Sequence, residues 1–329
     1  MSNSNVIIDA LQYVNWDRAL FEKTRDSGIN AVHVTVTYWE NNRETLANIS
    51  QWNRHFITHS DLIMPVRDAA DIHEAKRLNK LGIIFGFQNC SPIEDDLGLV
   101  QIMYELGGRV MQLSYNNQSL LATGCYEQYD SGITRFGREV IAEMNRVGMV
   151  IDMSHSGERS TLQAIELSKR PIAITHANPS FFHDALRNKS DTVLRALGNS
   201  DGMFGFSVYP FHLKNGADCT LIEFCQMIAD TASLMGIDNV GIGSDLCLNW
   251  DYSKLEWMRS GRWTNTADYG EGSADDPAWP TQPSWFKDST AIMNIAKGLA
   301  QQGFKTEDIN KVMGDNWLRF FERSFGPIV

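Results

Sequence analysis

Short apolar runs recur eight times along the chain, and segments with helical periodicity lie between them. The runs are continuously apolar rather than strictly alternating, which is typical of parallel strands covered on both faces. The segment at 134–148 has its apolar residues on one helical face and ends at Gly148, a common helix stop. Eight strand and helix units in succession predict an α/β fold, a (β/α)8 TIM barrel. The predicted strands are VIIDA (6–10), AVHVTV (31–36), IIFGFQ (83–88), VMQLSY (110–115), MVIDMS (149–154), PIAIT (171–175), MFGFSV (203–208) and NVGIGS (239–244).

The rival to a barrel is a doubly wound open sheet, which is disfavoured because no Gly-rich phosphate loop follows the first run. We predict a single barrel domain over residues 1–329, with a short extra strand and a helix between the second and third runs. Residues 248–283 are rich in Trp, Gly, Pro and Asp and predict a long lid or binding loop. The stretches 284–303 and 305–325 predict two C-terminal amphipathic helices, the second capped by Thr306. The tryptophans that suggest an aromatic-lined lid are Trp250, Trp257, Trp263 and Trp279.

The composition narrows the classes of function. Hydrophobic residues at 43% and charged residues at 21% are typical of a water-soluble globular protein. A formal charge of −11 without any basic run argues against a nucleic-acid partner. No signal-peptide pattern and no apolar window of membrane length are present, so we expect no membrane partner. The five cysteines are scattered and lack CxxC spacing, which predicts reduced thiols and a cytoplasmic location.

Polar residues stand where the predicted strands end, and in this barrel class active sites lie at those ends. His155 and His176 end successive strands and Asp245 follows the eighth. Imidazole and carboxylate are the usual ligands of zinc and similar cations, and a catalytic metal keeps an open position for the water that becomes the nucleophile. The alternative is that these histidines are simply hydrogen-bonded at strand ends. The other residues at predicted strand ends are Asp9, Thr37, Gln88, Tyr115 and Tyr209.

The loops after the sixth and seventh runs hold further candidates. Arg187, in the loop that begins ANPSFFHDALRNKSD after PIAITH, has the planar guanidinium that binds a substrate carboxylate through two parallel hydrogen bonds. An equally open interpretation is a surface arginine paired with Asp184 or Asp191. His183 and His212 lie in loops that could face the mouth of the barrel.

The segments VIDMSHSGERSTLQAI, PIAITHANPSFFHDALRNKSD, GIGSDL and MGDNWLRFF resemble the renal or membrane dipeptidase family of metallopeptidases, in order from about Ile84 to Phe321. The resemblance implies a barrel, usually a homodimer, that hydrolyses dipeptides with two zinc ions bridged by a glutamate. The family's two metal-binding histidines, its carboxylate-binding arginine and its aspartate after the eighth strand match His155, His176, Arg187 and Asp245. Asn188 completes the family's RN pair. The implied substrate is a small molecule with a free carboxylate.

The other half of the family's metal centre is substituted. Leu11 and Tyr13 stand where an HxD pair would bind metal, Gln88 replaces the bridging glutamate, and Tyr115 replaces a histidine that steadies the oxyanion. A neutral carboxamide does not offset the repulsion of two dications, and leucine offers no lone pair. We therefore expect one zinc or other divalent ion. Its predicted ligands are His155 and His176, with Gln88 or Asp245 as further ones.

Two functions remain open from the sequence. The first is a single-metal hydrolase of a small carboxylate-bearing amide. In it, Asp245 would be the general base, and Tyr115 would contact the substrate and donate a hydrogen bond to the oxyanion. Arg187 and Asn188 would bind the substrate. The second is a relative that has lost hydrolysis and now binds a small acid or performs other chemistry at the same mouth, since folds and sites are reused.

Overall fold

Eight parallel strands form a barrel, which confirms the predicted fold class. The computed structural model describes residues 5–262, 275 and 279–326. The strands follow one another around the barrel in the order β1-β2-β4-β5-β6-β7-β8-β9, and β3 pairs with β4 beside this path. The backbone N–H of Asp245 donates to the carbonyl of Leu11 at 3.0 Å, which joins the last strand to the first. The strands are β1 Ile8–Gln12, β2 Ala31–Thr37, β3 Ile63–Pro65, β4 Leu81–Phe87, β5 Gly108–Gln112, β6 Val150–Asp152, β7 Ala173–Ala177, β8 Met203–Phe206 and β9 Val240–Ile242.

Each predicted run overlaps a strand, but several strand ends differ from the prediction. The strand β7 starts two residues later than predicted and includes His176, whereas β6 ends three residues before His155. Strand ends are determined by hydrogen-bond register with the neighbours, and the apolar character of a run does not report that register. The extra strand predicted between the second and third runs is β3, whose Met64 pairs with Gly82 of β4.

Helices cover the outside of the barrel. The helix at Arg135–Val147 starts at the predicted position because the Thr134 side chain accepts from the backbone N–H of Gly137, and it ends at Gly148 in the left-handed conformation. The helices are α1 Arg18–Asp26, α2 Asn42–Thr58, α3 Ala69–Arg77, α4 Gly98–Glu105, α5 Arg135–Val147, α6 Glu158–Leu167, α7 Asp191–Asn199, α8 Leu221–Met235, α9 Tyr252–Ser260, α10 Ile292–Gln301, α11 Thr306–Asn310 and α12 Asn316–Ser324. None of the helices in the described ranges is both long and apolar enough to cross a bilayer.

The C-terminal region differs from the two predicted helices. The first begins only at Ile292, and the second is divided into α11 and α12 by a π-helical turn at Lys311–Asp315. A Cβ atom on Gly314 would lie 2.2 Å from the carbonyl oxygen of Val6, so this close backbone contact requires glycine. Thr306 is not the N-cap, because Lys305 holds that position and makes no capping bond through its side chain. The predicted loop 248–283 contains the helix α9, and Trp263 lies outside the described residues.

A tryptophan from α12 closes the N-terminal end of the barrel. The side chain of Trp317 is fully buried among apolar residues of the inner strand faces, and its indole N–H donates to the carbonyl of Ile242 at 3.0 Å. A Cβ atom on Gly241 would come within 2.4 Å of the Trp317 ring nitrogen, so a glycine makes room for the ring. The opposite end, where the strands finish, carries the pocket described next.

Candidate active site

Two buried histidines meet at the C-terminal ends of β6 and β7. The Nε2 atoms of His155 and His176 are 3.0 Å apart, and 7% and 0% of the two residues are exposed. The carboxamide oxygen of Gln88, which follows β4, lies 3.0 Å from Nε2 of His155. The structure therefore brings together three of the four predicted metal ligands.

The hydrogens of these three groups are directed away from their meeting point. The Thr175 hydroxyl donates to Asp152 at 2.6 Å, so its oxygen can only accept from Nδ1 of His176, which is 2.8 Å away. Nδ1 of His155 donates to the side-chain oxygen of Asn116 at 2.6 Å. The amide nitrogen of Gln88 donates to the Thr35 hydroxyl at 2.7 Å, which leaves its oxygen facing His155. This second layer of partners fixes both imidazole tautomers.

Three lone-pair atoms therefore face one another with no hydrogen between them. Such atoms repel each other unless a cation lies between them, and nitrogen atoms bound to a tetrahedral zinc at about 2.0–2.1 Å would themselves lie about 3.3 Å apart. A proton does not serve as this cation near neutral pH, because burial and then the Arg187 charge lower the pKa of both imidazoles well below its usual value. The donor set fits a divalent metal ion.

The predicted fourth ligand stands apart from this set. In the described ranges, no three His, Cys, Asp or Glu side chains gather as a group that could hold a metal. Asp245 lines the same pocket with its backbone in the left-handed region at φ 58°, a conformation that Asp tolerates better than most residues. Burial raises the pKa of its carboxyl to about 7, and the Arg187 charge opposes that rise. A carboxyl with this pKa can exchange a proton near neutral pH.

The surroundings of Leu11 and Tyr13 are apolar and aromatic. Leu11 and Tyr13 pack with Tyr38, Tyr115 and Cys247 in one buried cluster. Burial raises the pKa of the Tyr13 phenol well above its usual value, so the side chain stays neutral and offers no anionic ligand. The Tyr115 ring stacks on His155 with 4.2 Å between centroids, and burial raises its pKa as well. Tyr115 therefore keeps its proton and lines the pocket as a hydrogen-bond donor.

Arg187 is buried at the pocket wall with 1% of its surface exposed, which excludes the surface interpretation. Its guanidinium donates to the backbone carbonyls of Ser154 and, at 2.9 Å, His176. Neither Asp184 nor Asp191 forms an ion pair with it, and no other carboxylate does so within the part of the chain that the structure describes. A buried guanidinium without a carboxylate partner favours an anionic ligand.

Asn188 is not among the described residues that line the pocket, and its predicted contact with substrate stays a prediction. Its amide nitrogen donates to the carbonyls of His183 and His212 at 2.8 and 3.0 Å, and its oxygen accepts from the backbone N–H of Asn178. All of its polar atoms hold the Arg187 loop in place. Of the two loop histidines, His212 lines the pocket and His183 does not.

Sequence reasoning missed the residues that orient the imidazoles. They lie in the same motifs as the identified residues: Asp152 in VIDMSH, Thr175 in PIAITH and Asn116 in LSYNN. Asp152 and Thr175 could have been found, because each is a polar residue inside an apolar run. The cavity volume of the pocket is about 70 Å³, and about 590 Å³ of space free of protein atoms surrounds it when the part open to solvent is included. Its described lining residues are Tyr13, Gln88, Tyr115, Asn116, Tyr126, His155, Arg187, Tyr209, His212, Asp245, Leu255, Met258, Arg259 and Trp279.

The barrel fold, with histidines and an acidic residue at its strand ends, is similar to that of metal-dependent hydrolases. A sequence profile of the family described as membrane dipeptidase, peptidase family M19, matches residues 11–252. The protein therefore belongs to the membrane dipeptidase family, as its motifs predicted.

Solved structures agree with this membership. An amidohydrolase from Pseudomonas aeruginosa is 34% identical, with a TM-score of 0.92 and 98% of both chains covered. The dipeptidase AC, a metallopeptidase of family M19, is 18% identical and has a TM-score of 0.81, with 98% of this chain and 99% of that one covered. At that identity the second comparison supports the fold alone.

Curated relatives are longer than this chain. Dipeptidase tcpJ of Claviceps purpurea (strain 20.1) is 22% identical over 280 residues, which cover 84% of this chain and 59% of the relative. The chain spans only about half to three fifths of the length of the curated dipeptidases that it matches.

Proposed function

We propose that the protein hydrolyses the amide bond of a dipeptide or a similar small amide with a free carboxylate, and that it uses one divalent metal ion, zinc or a similar cation. The observation that supports this proposal most is the convergence of Nε2 of His155, Nε2 of His176 and the Gln88 oxygen within 3.0 Å contacts, all three without hydrogens between them. Buried acceptors arranged in this way are unfavourable without a cation.

One metal ion fits the residues better than two. His155 and His176 would hold it through Nε2, and Gln88 would add a neutral oxygen. A second dication a few ångströms away needs an anionic bridge and further ligands. Leu11 has no lone pair, and Tyr13 is neutral for the reason given above.

The remaining residues supply the other elements of hydrolysis. When bound, the metal would polarise the substrate carbonyl and favour deprotonation of water. Asp245 accepts a proton from the attacking water as the C–O bond forms, and returns it to the leaving nitrogen as the C–N bond breaks. Tyr115 donates a hydrogen bond to the developing oxyanion. Arg187 binds the free carboxylate and so orients the scissile bond.

A second candidate function is binding without hydrolysis. The apolar cluster around Leu11 and Tyr13 favours it, because half of the family's metal centre is absent there. The fold and the Arg187 site would then serve a small acid as ligand. Homodimerisation, implied by the family resemblance, and the cytoplasmic location remain further proposals.

The test compares the hydrolysis of dipeptides and N-acyl amino acids by the wild type and by His176→Ala, with zinc or manganese added. We expect turnover in the wild type and a loss on the order of 10³-fold in the variant. His73→Ala, on the outer helix α3, is the matched control and should keep full activity. Equal turnover in wild type and His176→Ala would contradict the proposal. Retained ligand affinity without turnover under every metal condition would favour the binding function.

A further inference from the structure

The carboxylate of Asp245 is oriented by a serine hydroxyl. Its Oδ2 accepts a hydrogen bond from Oγ of Ser207 at 3.4 Å, and within the described residues no other side chain donates to it. Asp245 is only 6% exposed, so contacts within the protein have to fix the direction of the carboxylate. A carboxylate acts as a base only when one of its oxygens points at the proton to be removed. Ser207 is placed to set that direction.

Ser207 follows β8 directly and is held on three sides. Its backbone N–H donates to Oδ1 of Asn178 at 3.1 Å, and its carbonyl accepts from Nδ2 of the same asparagine at 2.9 Å. Its hydroxyl oxygen accepts from the backbone N–H of Tyr209 at 3.1 Å. This contact limits rotation of the hydroxyl and leaves its hydrogen for the carboxylate of Asp245.

His212 lies behind Ser207 and extends the chain of contacts. It lines the pocket, but the proposed mechanism does not use it. Its Nδ1 is 3.5 Å from Oγ of Ser207. The serine hydroxyl has one hydrogen and an ionised carboxylate can only accept, so Nδ1 of His212 is the donor in this contact. Burial, and then the Arg187 charge, lower the pKa of the His212 imidazole well below its usual value, so the ring is neutral.

The position of His212 is fixed by the loop that carries Arg187. The carbonyl of His212 accepts from the side-chain amides of Asn178 at 3.2 Å and Asn188 at 3.0 Å. The Tyr209 ring meets the imidazole edge-on, with 4.7 Å between centroids. The contacts behind Asp245 are therefore built from the same loop that presents Arg187 to the pocket.

We propose that Ser207 and His212 are positioning residues, which hold the Asp245 carboxylate in the direction that proton transfer to and from the scissile amide requires. The assignment rests on the proposed amide hydrolysis with Asp245 as base. Neither residue gains or loses a proton. The proton that Asp245 takes from water resides on Oδ1, so the hydrogen bond from Ser207 to Oδ2 persists until that proton passes to the leaving nitrogen.

Other groups also act on Asp245 and have to be separated from Ser207. The Arg187 charge lowers the pKa of the Asp245 carboxyl, whereas Asp9 of β1 and Asp152 of β6 raise it. The neutral groups around it, which burial keeps protonated, are Tyr13, Tyr115 and Cys247. Substitution of Ser207 changes none of these groups, so its effect reports the lost hydrogen bond.

The test measures kcat and KM for a dipeptide and an N-acyl amino acid with the full-length protein loaded with zinc. In Ser207→Ala we expect kcat to fall about 10- to 100-fold and KM to change less than about twofold, because the base is misdirected while the Arg187 site is kept. The inflection of kcat/KM should move above its wild-type pH, because a hydrogen bond to the ionised carboxylate is lost. Ser233→Ala, at an exposed position on α8, is the matched control and should change none of these values.

Two substitutions of His212 separate its N–H from its bulk. His212→Asn keeps an N–H close to the position of Nδ1, and we expect its kcat to stay within about threefold of the wild type. His212→Leu removes the donor, and we expect its kcat to fall about tenfold. Equal losses in the two variants would overturn the role of His212.

The zinc content distinguishes positioning from support of the fold, and it should remain one ion per chain in Ser207→Ala. A loss of zinc, a KM that rises as much as kcat falls, or an unchanged kcat and inflection would overturn the inference and leave the proposed hydrolysis intact. If the wild type hydrolyses neither compound, the proposed function fails, and infrared titration of the Asp245 carboxyl, identified by its absence in Asp245→Asn, replaces the rate. A pKa about one unit higher in Ser207→Ala supports the inference, and an equal pKa overturns it.

Discussion

The two sides of the pocket are built by different chemistry. On the imidazole side, formed by His155, His176 and Gln88, each polar group is oriented by a hydrogen-bonded partner behind it. On the apolar side, Leu11 and Tyr13 lie in a buried cluster of apolar and aromatic side chains, in which Tyr13 forms a side-chain hydrogen bond with Cys247. The comparison teaches that one pocket can join a set of polar groups oriented by hydrogen bonds to a wall built mainly by apolar packing.

The largest expected effect concerns Asp245, the one carboxylate among the described residues that line the pocket. In Asp245→Asn we expect kcat to fall by about 10²- to 10⁴-fold, because the amide cannot accept a proton. In the wild type, a pKa of about 7 means that the carboxyl is protonated and inactive as a base below that pH. The measured kcat/KM should therefore rise with pH through an inflection near 7, and the inflection should be absent in the variant.

The control for this prediction is Asp191→Asn, at the exposed start of α7. It should retain both the rate and the pH profile of the wild type. An unchanged inflection in Asp245→Asn would show that another group titrates and that Asp245 is not the base.

A smaller effect is expected at the substrate carboxylate. In Arg187→Met we expect KM for a carboxylate-bearing amide to rise about 10- to 100-fold, because a charge-assisted bidentate contact is lost. Arg187 also donates to the carbonyls of Ser154 and His176, so the methyl ester of the same substrate is the necessary comparison. Its KM should change much less. Equal losses for acid and ester would mean that Arg187 only supports the loop.

The hydrogen bonds behind the imidazole side should have a measurable effect on metal affinity. In Thr175→Val the hydroxyl between Asp152 and His176 is lost, and we expect the metal dissociation constant to rise about tenfold. Thr175→Ser keeps the hydroxyl and is the matched control, with an affinity close to the wild type. Titration with zinc in competition with a chelator measures both. Identical affinities in the two variants would contradict an orienting role.

The smallest effect is expected from restoring only the bridging acid. In Gln88→Glu we expect the affinity for the single metal to increase by less than about tenfold, while the stoichiometry stays at one ion per chain. The apolar side still offers no ligand, because Leu11 has no lone pair and Tyr13 remains neutral. Elemental analysis of the purified variant measures this. Two ions in Gln88→Glu would show that the difference between the two sides depends on Gln88 alone.

Much of the fold followed from local sequence patterns. Buried parallel strands need continuous apolar runs, and the helix α5, after the fourth barrel strand, carries its own start and stop residues, Thr134 and Gly148. Thr306 was misjudged because a hydroxyl at a helix start does not always cap it. The division of the last predicted helix was also missed, since it depends on a contact between Gly314 and the distant Val6.

The site was predictable to the extent that its residues follow strands. His155, His176 and Gln88 meet because parallel strands end at one rim of the barrel. The partners Asn116, Thr175 and Asp152 were not predicted, because side-chain hydrogen bonds between neighbouring strands, or between a strand and a loop, are set only by the folded geometry. The contacts of Asn188 were not predicted either, since its amide binds the carbonyls of His183 and His212, which lie in two different loops.

The central claim is that the imidazole side alone holds one metal ion. Elemental analysis of purified protein, after zinc loading and removal of excess ion, tests it directly. We predict one zinc ion per chain in the wild type and none in His155→Ala/His176→Ala. Two ions per wild-type chain, or a zinc content that the double substitution leaves unchanged, would contradict the account.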